Sequence, residues 1–368
     1  MDTRVRIAVV GAGILGRRHA RVFHELEGSC LVAVVDPVEE RARAAAEGAG
    51  GSAALFADAA RMLEEVEVDA VAVATPDHLH AAPVLAALAR GKHVLLEKPL
   101  ATRLDEARAM VGEAARRALV LQVNYSQRFV AEYAWMKEQI DAGAIGKPVM
   151  VVSSKQDTIF VPTRMISWAA ATSPIHFMSS HDIDLVGWFL GGRALRAVAQ
   201  ERRGTLEALG VAAADGVDAL LAYDTGATAS FHSSWIHPTS FPTVTVDRMD
   251  IIGESGLLHF ESNGRAVECY TRSGGKKVSF SGPQTANEVE GKIQGAFRTS
   301  LELFLAAVRG GPEPPTSAAR TLHVTAAQEA ILRSAAAGTP VEIEETGPGP
   351  SPGPNGRALI VDVTAKLA

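Results

Sequence analysis

Over the first 120 residues, short apolar runs alternate with stretches whose apolar positions recur every three or four residues. VRIAVV (5–10), LVAVVD (31–36), VDAVAVAT (68–75) and HVLLEK (93–98) are the runs, and helical patterns lie near 14–26, 38–48 and 79–90. Continuous runs, rather than one-in-two alternation, are what strands buried on both faces require. Strands separated by helices imply parallel crossovers. The pattern predicts a doubly wound parallel sheet over residues 1–122. After residue 122 the strand candidates lengthen and alternate: PVMVVSSK, LRAVAQER, GVDALLAYD, ATASFHSSW, TVTVDRMDIIG, LLHFES and AVECYTR. That texture predicts an open, mostly antiparallel sheet with helices on one face over 123–345, an α+β domain joined to the α/β one. Helical stretches near 296–309 and 318–337 are expected to pack back against the domains. GPGPSPGPNG opens a Gly/Pro linker and tail over 346–368, which is expected to be disordered or to donate a strand to a neighbouring subunit.

Composition narrows the partners. Of 368 residues, 47% are hydrophobic and 21% charged, and 36 Lys and Arg against 42 Asp and Glu leave a net charge of -6 with no basic run. Nucleic acid is therefore not an expected partner. The two cysteines, Cys30 and Cys269, form no ligand-spaced pair, which fits a reducing cytoplasm. MDTRVRIAVV runs directly into a strand without a signal peptide's regions, and no stretch has the unbroken apolar length of a membrane span, so neither export nor a membrane is expected.

VVGAGILG places Gly11, Gly13 and Gly16 after a strand and at the start of a helix, the context in which GxGxxG means dinucleotide binding. Gly11 permits the tight turn, Gly13 lets the backbone approach a pyrophosphate, and Gly16 allows close helix packing. Ile14 and Leu15, between the last two glycines, belong to the same cofactor loop. Asp36 follows 20 residues later at the end of the second strand, where a carboxylate accepts ribose hydroxyls and repels a 2′-phosphate. The first domain is thus expected to be a Rossmann domain that binds NAD rather than NADP. Arg41 and Arg43 are the residues that would soften the choice.

HVLLEKPL ends in Glu97, Lys98 and Pro99, at the carboxyl end of a parallel strand, where ligands bind in such sheets. A cationic nicotinamide ring nearby lowers an amine's proton affinity, and the amine can hydrogen-bond an alcohol oxygen as it loses its proton. A plain solvated lysine is the competing reading. The Lys98–Pro99 peptide is a candidate cis bond.

Several motifs in order, GxGxxGxxH (Gly11 to His19), Asp36, TPDHLH (Thr75 to His80), EKPL (Glu97 to Leu100), NYSQRF (Asn124 to Phe129) and SHDIDLVGWFLGG (Ser180 to Gly192), resemble those of the glucose-fructose oxidoreductase/inositol dehydrogenase (Gfo/Idh/MocA) family over about residues 5–345. The resemblance implies an open-sheet second domain that covers the nicotinamide, a sugar or cyclitol substrate, and Lys98 with His181 as the catalytic pair. It also implies that Thr75, Pro76, His80, Glu97 and Lys98 line the cofactor. Many family members carry an aspartate four residues before the histidine, on the same side of a helix; here that residue is Phe177, and His176 precedes it, about 140° away on a continuous helix. Either His176 reaches substrate from a non-helical approach favoured by Pro174, or Phe177 shapes the pocket while Lys98 and His181 act alone.

His176, His181, Asp182 and Asp184 have metal-ligand atom types, but two aspartates about 200° apart on a helix cannot share an ion, and no metal is expected. Asp182 is instead expected to favour the helix start, with Ser179 or Ser180 as cap. Asn124, Gln127 and Arg128 are candidate partners for substrate hydroxyls, with an interdomain ion pair as the competing role of Arg128. Trp168, in a long weakly periodic stretch that suits a flexible loop, and Trp235 are candidate apolar faces for a sugar ring, although burial is the commoner fate of a tryptophan. The reading is an NAD-dependent dehydrogenase of a sugar, glycoside or cyclitol alcohol, forming a homodimer or homotetramer through its open sheet. An NAD-using glycosidase and a non-catalytic dinucleotide sensor are the alternatives.

Overall fold

The structure is a computed structural model that describes residues 4–264, 266–280 and 285–347. The expected linker and tail lie, from residue 348 onward, outside the described residues. The described residues form two compact units, one drawn from 4–129 and 285–325, the other from 130–264, 266–280 and 326–347.

In the first unit β1 (Val5–Val10), α1 (Ile14–Glu25), β2 (Ser29–Val35), α2 (Glu39–Glu47), β3 (Ala54–Phe56), α3 (Ala59–Glu65), β4 (Ala70–Val73), α4 (Ala81–Ala89), β5 (His93–Leu96), α5 (Leu104–Arg116) and β6 (Leu121–Val123) alternate; β1, β2, β4, β5, α1, α2 and α4 fall on the patterns that predict them. The sheet is wholly parallel, in the order β3-β2-β1-β4-β5-β6. Ile7, Val9, Val34 and Ala72 are fully buried, which is why these strands show no polar alternation. Residues 285–325, assigned by sequence to the second domain, fold with this unit. Phe297, Leu301, Phe304 and Leu305 of the helix Ala296–Val308 enter the same core as Ile7, Val9, Ala20 and Phe23. Periodicity shows that this helix has an apolar face but not which core receives it.

The second unit holds α6 (Ala131–Asp141), β7 (Pro148–Thr158), α7 (Pro174–Phe177), α8 (Ser180–Leu190), β8 (Ala194–Arg202), β9 (Gly216–Tyr223), β10 (Thr228–His237), β11 (Thr245–Gly253), β12 (Gly256–Glu261), β13 (Ala266–Thr271) and β14 (Gly274–Ser279). Its sheet runs β14-β13-β12-β11-β7-β10-β9-β8 and ends on Val341–Glu342; β7 and β10 are parallel and the other pairs antiparallel. Strict alternation marks one buried and one open face. On β10, Ala229, Phe231, Ser233 and Trp235 are buried while His232 is exposed. The open face leaves Met150, Val198, Leu220 and Tyr270 each 44–48% exposed.

One local expectation needs correction, and one geometry left open by the sequence is decided. The stretch after β7 is not a structureless loop: it contains a π-helical turn at Val161–Met165 and a 3-10 turn at Ala169–Ala171. Both are anchored because Val161 and Ala169 pack in a cluster with Trp235 and Leu206. Nor do Phe177 and His181 share one continuous helix. A turn at Pro174–Phe177 ends before Ser179, which stands at the N-cap position of α8 without a side-chain bond to the helix.

Candidate active site

The cofactor loop is built by steric necessity. Gly11 has φ +91°, and a Cβ there would lie 2.6 Å from the Ala74 carbonyl oxygen; a Cβ on Gly16 would lie 1.7 Å from the Gly11 oxygen. Both positions exclude any side chain. Gly13 differs, because a Cβ on it would meet nothing within 4 Å. Gly13 is the N-cap of α1, no side chain caps the helix, and its first turn holds no acid. The backbone N–H groups and the positive end of the dipole therefore face open space, which fits a pyrophosphate. Ile14 is 49% exposed on this rim and Leu15 is half-buried.

Asp36 lies beside the loop. One carboxylate oxygen accepts the Ala12 N–H at 2.8 Å and the other the Val38 N–H at 2.9 Å, which leaves further lone pairs on a group whose charge opposes a 2′-phosphate. These residues fit an adenosine ribose without a 2′-phosphate. Thr75 and Pro76 are half-buried after β4. His80 is buried, with Nδ1 2.8 Å from the Pro99 carbonyl oxygen and Nε2 3.2 Å from the Thr75 oxygen. It ties the loops after β4 and β5 together rather than presenting a ring to ligand. Burial pushes its imidazole below the usual histidine range.

Lys98 follows β5, half-buried, and its peptide to Pro99 is cis. Glu97, just before it, is buried, and one of its oxygens accepts from His19 Nε2 and from Asn124 Nδ2, each at 2.7 Å. Burial alone would raise this carboxyl. The hydrogen bonds from His19 and Asn124 and the charge of Lys98 outweigh it and hold the pKa below the usual range. Asn124 thus serves Glu97 rather than standing open to a substrate. Arg128 is likewise buried, and its Nη1 donates to the Pro315 carbonyl at 3.2 Å within the same unit. Gln127 is half-buried.

In the second unit, every residue of α8 from Ser180 to Phe189 is buried except His181, which is half-exposed. His176 is buried; its backbone N–H donates to Ser173 Oγ at 3.2 Å, and its Nδ1 lies 3.2 Å from the same oxygen. Phe177, half-buried, lies between two tryptophans, with ring centroids 5.6 Å from Trp168 and 6.0 Å from Trp235. Trp235 is fully buried and its Nε1 donates to the Ala214 carbonyl at 2.6 Å, so it backs Phe177 and offers no face of its own. Trp168 is half-buried.

Asp182 does not act as a helix-start charge alone. Its carboxylate takes the Lys155 ammonium at 2.9 Å, both buried, with the partly exposed Asp247 3.5 Å from the same nitrogen. Ser179 is the N-cap by position, but its hydroxyl bonds Ser233 instead of the helix. Burial pushes Asp182 up, while the two carboxylates keep Lys155 above its ordinary value in spite of burial. This triad was missed from sequence. The signal was present: Ser153, Lys155 and Asp157 occupy the buried phase of β7, where alternation demands apolar residues.

Residues 5–125 match the Gfo/Idh/MocA oxidoreductase family's NAD-binding Rossmann fold, and residues 137–343 match its C-terminal alpha/beta domain. Inositol 2-dehydrogenase 1 of Saccharopolyspora erythraea is 31% identical over 342 residues, 92% of this chain and 96% of that protein. The scyllo-inositol 2-dehydrogenase (NAD(+)) of Bacillus subtilis is 28% identical over 85% of this chain and 89% of its own length. A solved oxidoreductase from Agrobacterium radiobacter in complex with NAD+, L-tartaric acid and magnesium superposes with a TM-score of 0.80 at 24% identity, covering 92% of this chain and 98% of that one, a likeness of fold. The chain belongs to the Gfo/Idh/MocA family of NAD-binding oxidoreductases.

Proposed function

We propose that the protein is an NAD-dependent dehydrogenase that moves a hydride between a secondary alcohol of a sugar, glycoside or cyclitol and nicotinamide. The observation that carries this reading is the end-to-end similarity to an inositol 2-dehydrogenase, with Lys98 set at the strand end behind a buried, ionised Glu97. When bound, NAD supplies the hydride acceptor. The α1 N-terminus, Gly13, Ile14 and Asp36 would hold it, with Thr75, Pro76 and Lys98 at the neighbouring strand ends. The Lys98 ammonium donates to the alcohol oxygen as negative charge develops there, and the half-exposed His181 takes the hydroxyl proton. Phe177 cannot accept a proton, so it acts with Trp168 as an apolar wall, which suits the C–H face of a sugar ring.

Spectrophotometry at 340 nm over a panel of inositols, hexoses and glycosides, with NAD and NADP compared, tests the proposal. Net NADH formation with a polyol supports it. Hydrolysis of a glycoside without NADH would mark an NAD-using glycosidase, and nucleotide binding without turnover a sensor.

We further propose that the open sheet face joins copies of the chain. Met150, Val198, Leu220 and Tyr270 leave apolar area there that a monomer would expose. Light scattering behind size exclusion should give a dimer or tetramer, and Leu220→Glu should move it toward monomer. The assignment to the cytoplasm rests on Cys30 and Cys269 not being joined in a disulfide. No described helix is long and apolar enough to cross a membrane.

A further inference from the structure

The carboxylate next to Lys98 is unusual in being both buried and ionised. Glu97 is 5% exposed, and an ionised carboxylate has only acceptors, so both groups within 2.7 Å of its oxygen must donate. That requires a proton on His19 Nε2 and fixes the orientation of the Asn124 amide. His19 is fully buried on α1 and packed 4.8 Å from the Phe297 ring, while its Nδ1 and the Asn124 Oδ1 have no hydrogen-bond partner among the described residues. Two buried side chains each leave one polar atom unpaired in order to serve one oxygen, a cost that core packing does not require. His19 lies three residues after Gly16 on the helix that opens at the cofactor loop, and Asn124 lies just after β6, so Glu97 is held from both sides of β5.

We propose that His19 and Asn124 are positioning residues that clamp Glu97 as a fixed negative charge behind Lys98, and so set the direction and proton affinity of the Lys98 ammonium. The inference rests on the reading of Lys98 as the donor to the reacting oxygen. The titratable groups that face Glu97 are Lys98 in the chain, His19 from α1, and His80 from the segment before α4, which faces Asp77 in turn. Among these Glu97 is the carboxylate adjacent to Lys98, so its charge favours the protonated amine. Without the clamp a buried carboxyl would take up a proton or turn away, and that support would be lost.

The test is an NMR titration of Lys98 in the full chain, with lysines reductively methylated with 13C and the Lys98 signal assigned by its absence in Lys98→Arg. Glu97→Gln should lower the Lys98 pKa by about 1 unit, within the range of a lost neighbouring charge. His19→Ala and Asn124→Ala should lower it in the same direction, and His19→Gln, which keeps an N–H donor, should restore most of the shift. A purely structural role for His19 would change thermal stability but leave the Lys98 titration in place. If His19→Ala does not fold, Glu97→Gln and Asn124→Ala carry the comparison. An unchanged Lys98 titration in the folded variants overturns the proposal. The underlying role of Lys98 fails separately, if Lys98→Ala keeps turnover in the 340 nm assay.

Discussion

Among single residues, Lys98 has the most direct prediction. Lys98→Ala should cut kcat with the productive polyol by at least about 100-fold, the scale of a lost acid–base contribution, while NAD affinity by fluorescence titration changes little. Retained turnover would remove its assigned role. A second residue governs stability. Burial, joined by the charge of Arg128, pushes the His323 imidazole down to about 4, while its Nδ1 donates to the Arg320 carbonyl. A histidine whose folded pKa is depressed supports the fold fully above its unfolded value, near 6.5, and loses that support as pH falls toward about 4. The loss is on the order of 3 kcal/mol, and urea unfolding from pH 7 to pH 4 should be visibly flatter in His323→Gln than in the parent. At this scale strand-end position and motif spacing let the sequence place Lys98 and Asp36 just after β5 and β2. It could not show that Asn124 and His80 are spent inside the protein, because that depends on which carbonyl or carboxylate the fold brings opposite them.

The turn between β1 and α1 and the pair α7 and α8 are the elements on which function rests. Gly16→Ala would place a methyl carbon 1.7 Å from the Gly11 oxygen, so loss of soluble expression or of thermal stability is expected. Gly13→Ala meets nothing within 4 Å and should fold normally, yet bind NAD at least about tenfold more weakly, because the methyl occupies space kept for the pyrophosphate. Equal folding with unchanged NAD affinity would count against the loop as the phosphate site. Asp182→Ala removes the 2.9 Å carboxylate partner of the buried Lys155 ammonium and should cost about 3–5 kcal/mol of unfolding free energy by denaturant titration. Most of the elements were legible: α1, the helix Ala296–Val308 and β7 to β13 fall within a few residues of the patterns that predict them, whereas β14 and the edge pair Val341–Glu342 were not read. The break between α7 and α8 was left open, because Pro174 can open a helix as readily as it can disrupt one, and the Ser179 hydroxyl that leaves the cap does so for a serine 54 positions away.

Across the whole molecule, the chain's own pattern determined the class of each unit. Runs buried on both faces can only be parallel strands under helices, alternating ones need one open face, and a glycine triplet with a spaced acid selects a dinucleotide without a 2′-phosphate. These are properties of local periodicity and backbone sterics, which are written in consecutive residues. Tertiary structure alone decided that residues 285–325 return to the first core, that Glu97 is clamped by a histidine 78 positions before it and an amide 27 after, and that Lys155 and Asp182 meet in the interior with Asp247 at their edge. Such choices follow from burial and charge pairing between segments distant in sequence. Their energies depend on what is desolvated together, and no spacing along the chain records that.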